Sequence, residues 1–186
     1  YVKNILKEFC ENYDLPYIHI GADEVKITNQ NFIPEMTKFL EGMGKKVIGW
    51  QPGGNFTNST LRQLWMEEKL DEDDGKAIQY IDSRHLYLNH MDPLEAVVSI
   101  FNRRIGNRDK GDGTMIGATL CTWHDRAVFR DEEILNMNEV YPGMIAFAEK
   151  MYNGGGVQGW ISNISDGDVK EFAQFEQKLL DHKAQY

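Results

Sequence analysis

The sequence predicts an α/β fold in which a parallel sheet is covered by helices. Three observations lead there. Strand-like and helix-like patterns alternate along the chain. The strand-like segments are short, apolar and separated by helices, which is βα repetition. With 186 residues and 41% apolar composition, the chain is long and apolar enough to bury one sizeable core. Doubly wound sheets and (β/α)8 barrels both fit this pattern. About five strands are legible, whereas a complete barrel needs eight and roughly 250 residues.

The elements follow in order. YVKNILKEFCENYD opens in a helical pattern, with Val2, Ile5, Leu6 and Phe9 on one stripe. Residues 17–21 read as a strand. NFIPEMTKFLEGMG is a helix closed by Gly42 or Gly44. KKVIGW (45–50) and TLRQLW (60–65) are strands, and WMEEKLDEDDGK is a turn of helix with an acidic connection. AIQYIDS (77–83) is a strand. DPLEAVVSIFNRRI is a helix with Asp92 as N-cap and Pro93 at its first position. GATLCTW (117–123) is a strand, YPGMIAFAEKMYNGGG a helix with a glycine stop, VQGW a short extra strand, and DGDVKEFAQFEQKLLDH the last helix. The opening lacks Met and a signal peptide and starts inside a helical pattern, which reads as a chain whose upstream part was removed.

Charge and motifs narrow the function. A formal net charge of −9 argues against nucleic acid or an anionic membrane as partner, and leaves a neutral or cationic small ligand. No apolar run reaches the length of a membrane span. Cys10 and Cys121 are far apart in sequence, so neither a disulfide framework nor a metal cluster is expected. His85, His90 and Asp92 match no standard zinc spacing, and no metal is assigned to them. No Gly-rich phosphate loop follows the first strand, so no nucleotide cofactor is expected.

What lies at the strand ends is more informative, because the C-terminal ends of parallel strands converge on the site in such folds. The first strand runs through Gly21 into Asp23 and Glu24. The next ones end in Trp50, Trp65 and Trp123, and Tyr87 lies just beyond AIQYIDS. Indole faces suit the CH faces of a pyranose, and a tyrosine adds a directed hydroxyl. A single tryptophan would ordinarily be core, and Trp160 is read that way. Three at strand ends together with an acid pair point to a sugar site. Adjacent acids on a strand would face opposite ways. Gly21 releases the chain from strand geometry, so both can approach one ligand. Close carboxylates tend to split their pKa values, and a general acid beside a charged partner is what glycosidic cleavage needs.

HIGADEV resembles the H-I-G-G-D-E motif of the family 20 glycoside hydrolases, the β-N-acetylhexosaminidases, and especially their bacterial, Bacteroides-like members. KKVIGW, LRQLW, HLYLNH and CTWHD follow in the order that family shows. The resemblance implies a partial (β/α)8 TIM barrel, roughly strands four to eight with their helices. Residues 1–186 would then form a single partial catalytic domain lacking the N-terminal part. It implies hydrolysis of terminal non-reducing β-linked N-acetylhexosamines, with retention through an oxazolinium formed by the sugar's own acetamido group. Glu24 would be general acid and then base, and Asp23 would orient the acetamido N–H. Tyr87 would bond the acetamido oxygen. Trp50, Trp65 and Trp123 would wall the pocket, and His19 would sit behind the acids.

Several positions depart from the family pattern. Ala22 stands where a second glycine is common, Asn89 where an acid near the sugar hydroxyls is common, and Asp125 where many members carry Glu. No counterpart is found for one further aromatic between Asn89 and Trp123. The arginine clamp of the first half-barrel has no candidate in this chain. The expected partners are N-acetylhexosamine-terminated glycans, with self-association through open barrel edges, and a periplasmic or secreted location follows from the resemblance alone. A lacto-N-biosidase-like activity and a non-catalytic carbohydrate-binding or structural fragment are the alternatives. The D-x-x-D-x-D-x-E run of chitinase-like enzymes is absent.

Overall fold

The computed structural model describes residues 1–67, 78–88, 92–123, 129–136 and 140–185. Their contacts divide the chain into two compact units, residues 1–82 with 112–116, and residues 83–111 with 117–186.

The first unit opens with helix α1 (Val2–Asn12), which leads into strand β1 (Tyr17–His19). Helix α2 (Phe32–Gly42) and strands β2 (Lys46–Gln51), β3 (Leu61–Leu64) and β4 (Tyr80–Asp82) follow. Strand β5 (Met115–Ala118) completes a five-stranded sheet of order β1-β2-β3-β4-β5. The first three pairings are parallel, with Ile18 opposite Val47, Trp50 opposite Gln63, and Leu64 opposite Asp82. Among the described residues the order never reverses, so the described sheet shows no switch point of a doubly wound fold.

α2 buries Ile33, Met36, Thr37 and Leu40, the i, i+3, i+4, i+7 face of an amphipathic helix. Leu40 joins Cys10, Ile18 and Val47 in one core cluster. Gly44, just beyond the helix, adopts the left-handed φ of 78° expected of a glycine stop. All four residues of β3 are buried, as for a parallel strand covered on both faces.

α1 forms where the sequence places it, but of its expected stripe only Leu6 faces a core among the described residues. Leu6 and Cys10, one helical turn apart, pack inward, whereas Val2, Ile5 and Phe9 remain exposed. β5 corrects the expected strand at 117–123. The Asp112 side chain accepts from the N–H groups of Thr114 (2.8 Å) and Met115 (2.7 Å), closing the preceding loop so that the strand starts at Met115. It ends at Ala118, and Cys121 makes only an isolated parallel bridge with Tyr87. Residues 65–67 are not helical, and the rest of the acidic connection expected from WMEEKLDEDDGK lies outside the described residues.

The second unit is built on α3 (Pro93–Asn102), α4 (Asp131–Asn136), α5 (Val140–Asn153) and α6 (Val169–His182). Val97, Val98, Ile100, Phe101, Ala146, Phe172 and Phe175 form its core with Leu86 and Leu88. Phe101 and Phe172 meet edge to face at 5.3 Å. Asp92 caps α3 as expected, accepting from the N–H groups of Leu94 (3.0 Å) and Glu95 (3.4 Å). Replacing Asp92 with Ala should therefore cost about 1 kcal/mol. A urea titration should show the midpoint moving down, and an unmoved midpoint would mean the cap contributes nothing.

Two expectations in this unit change. VQGW is not a strand: Val157 makes one isolated bridge with Arg103, and the glycines around it turn the chain. Trp160 is not core but 54% exposed, its ring 5.2 Å from that of His85. Helix α4 was not legible from periodicity. Its signal is acidic: Glu133 accepts from the N–H groups of Phe129 (2.6 Å) and Arg130 (3.2 Å) at the helix start. No helix among the described residues is long and apolar enough to cross a membrane.

Candidate active site

The acid pair lies in the first unit, on the turn that leaves β1. Ladder bonds continue past the strand's end, from Ile20 N–H to the Ile48 carbonyl (2.9 Å) and from Trp50 N–H to the Gly21 carbonyl (3.0 Å). The chain then turns sharply. Gly21, Ala22 and Glu24 all take left-handed φ, at 67°, 77° and 48°. Gly21 does so freely. Ala22 and Glu24 each carry a cost of about 1–3 kcal/mol, so neighbouring structure has to hold them there. In this way the turn frees Asp23 and Glu24 from strand alternation, as the sequence suggests. Asp23 ends half-buried and Glu24 exposed.

Part of the support comes from the loop after β2. A Cβ on Gly54 would lie 3.2 Å from the Cβ of Ala22 and 3.1 Å from Ile33, a tight fit, and one on Gly53 would meet the Trp50 carbonyl oxygen at 2.0 Å, so the loop takes this path because position 53 has no side chain. The same loop is tied to Trp65, whose indole N–H donates to the Pro52 carbonyl at 2.8 Å. Trp65 therefore presents a ring face whose polar end is already engaged. Sequence reasoning missed Pro52–Gly54 as a brace. Its signal is the Pro-Gly-Gly run at 52–54, immediately after the end of β2 at Gln51.

His19 supplies the rest. Its Nδ1 accepts from the Gly21 N–H at 3.0 Å, and its side chain also hydrogen-bonds Gln63 of β3. Its ring lies 5.0 Å from that of Trp50, tilted by 58°. The residue keeps an exposed surface, yet surrounding atoms withdraw the imidazole from water enough to lower its pKa below the ordinary 6.5. The bond to Gln63 and the charge of Asp23 oppose that shift. Gln63, 93% buried and on the strand beside Trp50, was also missed by sequence reasoning.

Tyr87 and Trp123 belong to the second unit. Leu86 and Leu88, on either side of Tyr87, both bond the backbone of Cys121, at 2.8 and 2.9 Å. The Cys121 thiol hydrogen-bonds the side chains of Ser83 and Trp123, while burial pushes its pKa up. Cys121 thus lines up the segments carrying both aromatic residues. Tyr87 is half-buried and Trp123 is 49% exposed. Trp123 lies five residues beyond the end of β5, so it is not the strand terminus that its sequence position suggests. The structure thus gathers His19, Asp23, Glu24, Trp50 and Trp65 in one unit and Tyr87 and Trp123 in the other. Asn89 and Asp125 lie outside the described residues.

Asp92 caps α3, His85 packs on Trp160, and His90 lies outside the described residues. Among the described residues no group of three His, Cys, Asp or Glu side chains is placed to hold an ion.

No family profile matches the sequence, and no curated protein matches it. Solved structures do. A β-N-acetylhexosaminidase from Bacteroides fragilis matches over 98% of this chain and 42% of its own, with a TM-score of 0.66 and 20% identity. Dispersin B matches over 82% of this chain and 58% of its own, with a TM-score of 0.58 and 18% identity. The family 20 chitobiase of Flavobacterium johnsoniae matches over 88% and 29%, with a TM-score of 0.58 and 16% identity. The chain therefore spans less than half the length of the Bacteroides structure. At these identities the likeness is one of fold, and in fold this chain is related to the family 20 glycoside hydrolases that HIGADEV resembles.

Proposed function

We propose that this chain is the part of a (β/α)8 barrel running from strand four to strand eight, in an enzyme that removes terminal non-reducing β-linked N-acetylhexosamines. The unreversed strand order supports the barrel, as does a match covering nearly all of this chain but under half of the Bacteroides structure. The observation that carries the function is the acid turn. Two carboxylates are released from strand alternation by consecutive left-handed residues at the C-terminal end of a parallel strand.

In this reading Glu24, the more exposed acid, reaches the glycosidic oxygen and donates its proton as that bond breaks. The substrate's acetamido oxygen attacks the anomeric carbon and closes an oxazolinium ring, so no enzyme carboxylate serves as nucleophile, unlike the common retaining route. Asp23, half-buried beside it, accepts from the acetamido N–H and stabilises the positive charge of the ring. Tyr87 donates to the acetamido oxygen. Glu24, now a carboxylate, takes a proton from the water that opens the oxazolinium. Trp50, Trp65 and Trp123 pack against sugar and acetamido CH groups, and Asn89 and Asp125 bond sugar hydroxyls. The ends of the sheet at β1 and β5 take further strands, or a second copy.

A thiazoline, the sulfur mimic of the cyclised intermediate, tests this assignment. It should inhibit the full-length protein far below the KM of the substrate, and Asp23→Asn should weaken it by roughly 10²-fold, the cost of losing a charge-assisted contact. Equal inhibition of wild type and variant would remove Asp23 from the acetamido group and leave a non-catalytic sugar-binding role as the better reading.

A further inference from the structure

We propose that His19 is a positioning residue that holds the acid turn in shape through its neutral imidazole, a proposal that rests on the hexosaminidase reading and extends it. A neutral imidazole has one accepting and one donating nitrogen. Nδ1 accepts from the Gly21 N–H, so the ring proton is on Nε2. The amide oxygen of Gln63 is the acceptor that suits it, since this hydrogen bond favours the protonated ring. The result is a relay from β3 through His19 to the first residue of the turn.

Gly21 is held at both of its polar groups, by His19 at the N–H and by Trp50 at the carbonyl. The residues after it, Ala22 and Glu24, sit in left-handed conformations that side chains disfavour. Losing the anchor at Gly21 lets the turn relax, and the acids move with it. Protonation removes that anchor, because a second ring N–H would then face the Gly21 N–H, donor against donor.

Among the described residues, the charged group acting on the ring is Asp23 of the same turn, which favours protonation. From β2 the ring meets Trp50, and from β3 Gln63, neither of which titrates. Desolvation outweighs both and keeps the folded-state pKa under 6.5. The stabilisation of the turn is therefore complete above the ordinary histidine value and is lost as pH falls from there through the folded-state value. Activity should lose its acid limb over the same range, with kcat affected more than KM.

The test compares full-length wild type with His19→Asn and His19→Ala. Turnover of 4-nitrophenyl N-acetyl-β-D-glucosaminide is followed from about pH 4 to pH 8, across the histidine titration. Asn can place its Oδ1 where Nδ1 accepts, and it does not titrate. His19→Asn should keep kcat near neutrality within roughly threefold and move the acid limb to lower pH, while His19→Ala should lose about 10–100-fold in kcat at every pH, as misplaced catalytic groups do. An Asn variant with the wild-type acid limb, or an Ala variant with wild-type kcat, overturns the proposal. Nitrogen-15 NMR of His19 supplies a readout independent of turnover and of whether the Ala variant folds. The Nε2–H tautomer is expected, and an Nδ1–H tautomer rules out the relay. A wild-type protein with no hexosaminidase activity but the expected tautomer would sink the functional reading and leave the His19 anchor standing.

Discussion

Replacing Glu24 with Gln in the full-length protein should lower kcat on unactivated hexosaminides by about 10²–10⁴, the usual contribution of a positioned acid–base group. The amide is the same size and keeps hydrogen-bonding capacity, so the left-handed backbone at Glu24 and the packing of Ala22 on Gly54 should be untouched. The loss is chemical: the amide has no proton to give the leaving oxygen and no basicity to activate water. A leaving group that departs without protonation, such as 4-nitrophenolate, should suffer less in the first step than an alkyl glycoside. Measured side by side, the two substrates should separate by one or more powers of ten. Normal turnover of the alkyl glycoside by Glu24→Gln would remove Glu24 from acid catalysis and with it the main assignment of the site.

The second large effect concerns residues 1–186 as an isolated polypeptide. Hydrolysis should fall below detection, and the chain should run above monomer mass or aggregate. β1 is an end of the described sheet, so one side of its backbone has no strand beside it. Around it the apolar surface is unusually open. Ile5, Phe9 and Tyr13 on and beside α1, then Leu15 and Tyr17, are between 40% and 56% exposed. Monomers seldom leave such a cluster uncovered, and a strand with its helix, or a second copy, is the shape that would cover it. On the proposed barrel reading, groups outside these residues close the far side of the site. Light scattering and a 4-nitrophenyl hexosaminide assay on the purified chain decide both halves of the expectation. A monodisperse, fully active monomer would mean that these residues complete the site by another architecture.

Local chemistry made much of the fold legible. Asp92 followed by Pro93 announces a helix start because a carboxylate and a fixed φ satisfy the first turn without help from elsewhere. The face of α2 likewise records which side of the helix is buried. The same applies to the route from strand through glycine to paired acids, since a backbone that must leave strand geometry needs Gly21 for reasons internal to the segment.

What the sequence could not decide depends on contacts between residues far apart in the chain. Periodicity shows that α1 has an apolar stripe, but not that only Leu6 and Cys10 find a core to face. Trp160 reads as core by type, yet it lies against His85 at the surface, because whether an indole is covered depends on what folds over it. Asp112 moves the start of β5 by folding its loop back on itself. The acid turn is the clearest case. Asp23 and Glu24 can be named from the seven residues HIGADEV, but the loop that packs against their turn comes from Gly53 and Gly54, far along the chain. Gln63 and Trp50, from neighbouring parallel strands, also meet the His19 ring that bonds the Gly21 N–H. Parallel strands are joined by long crossovers, so these groups become neighbours only once the sheet has formed, and no local pattern records the meeting.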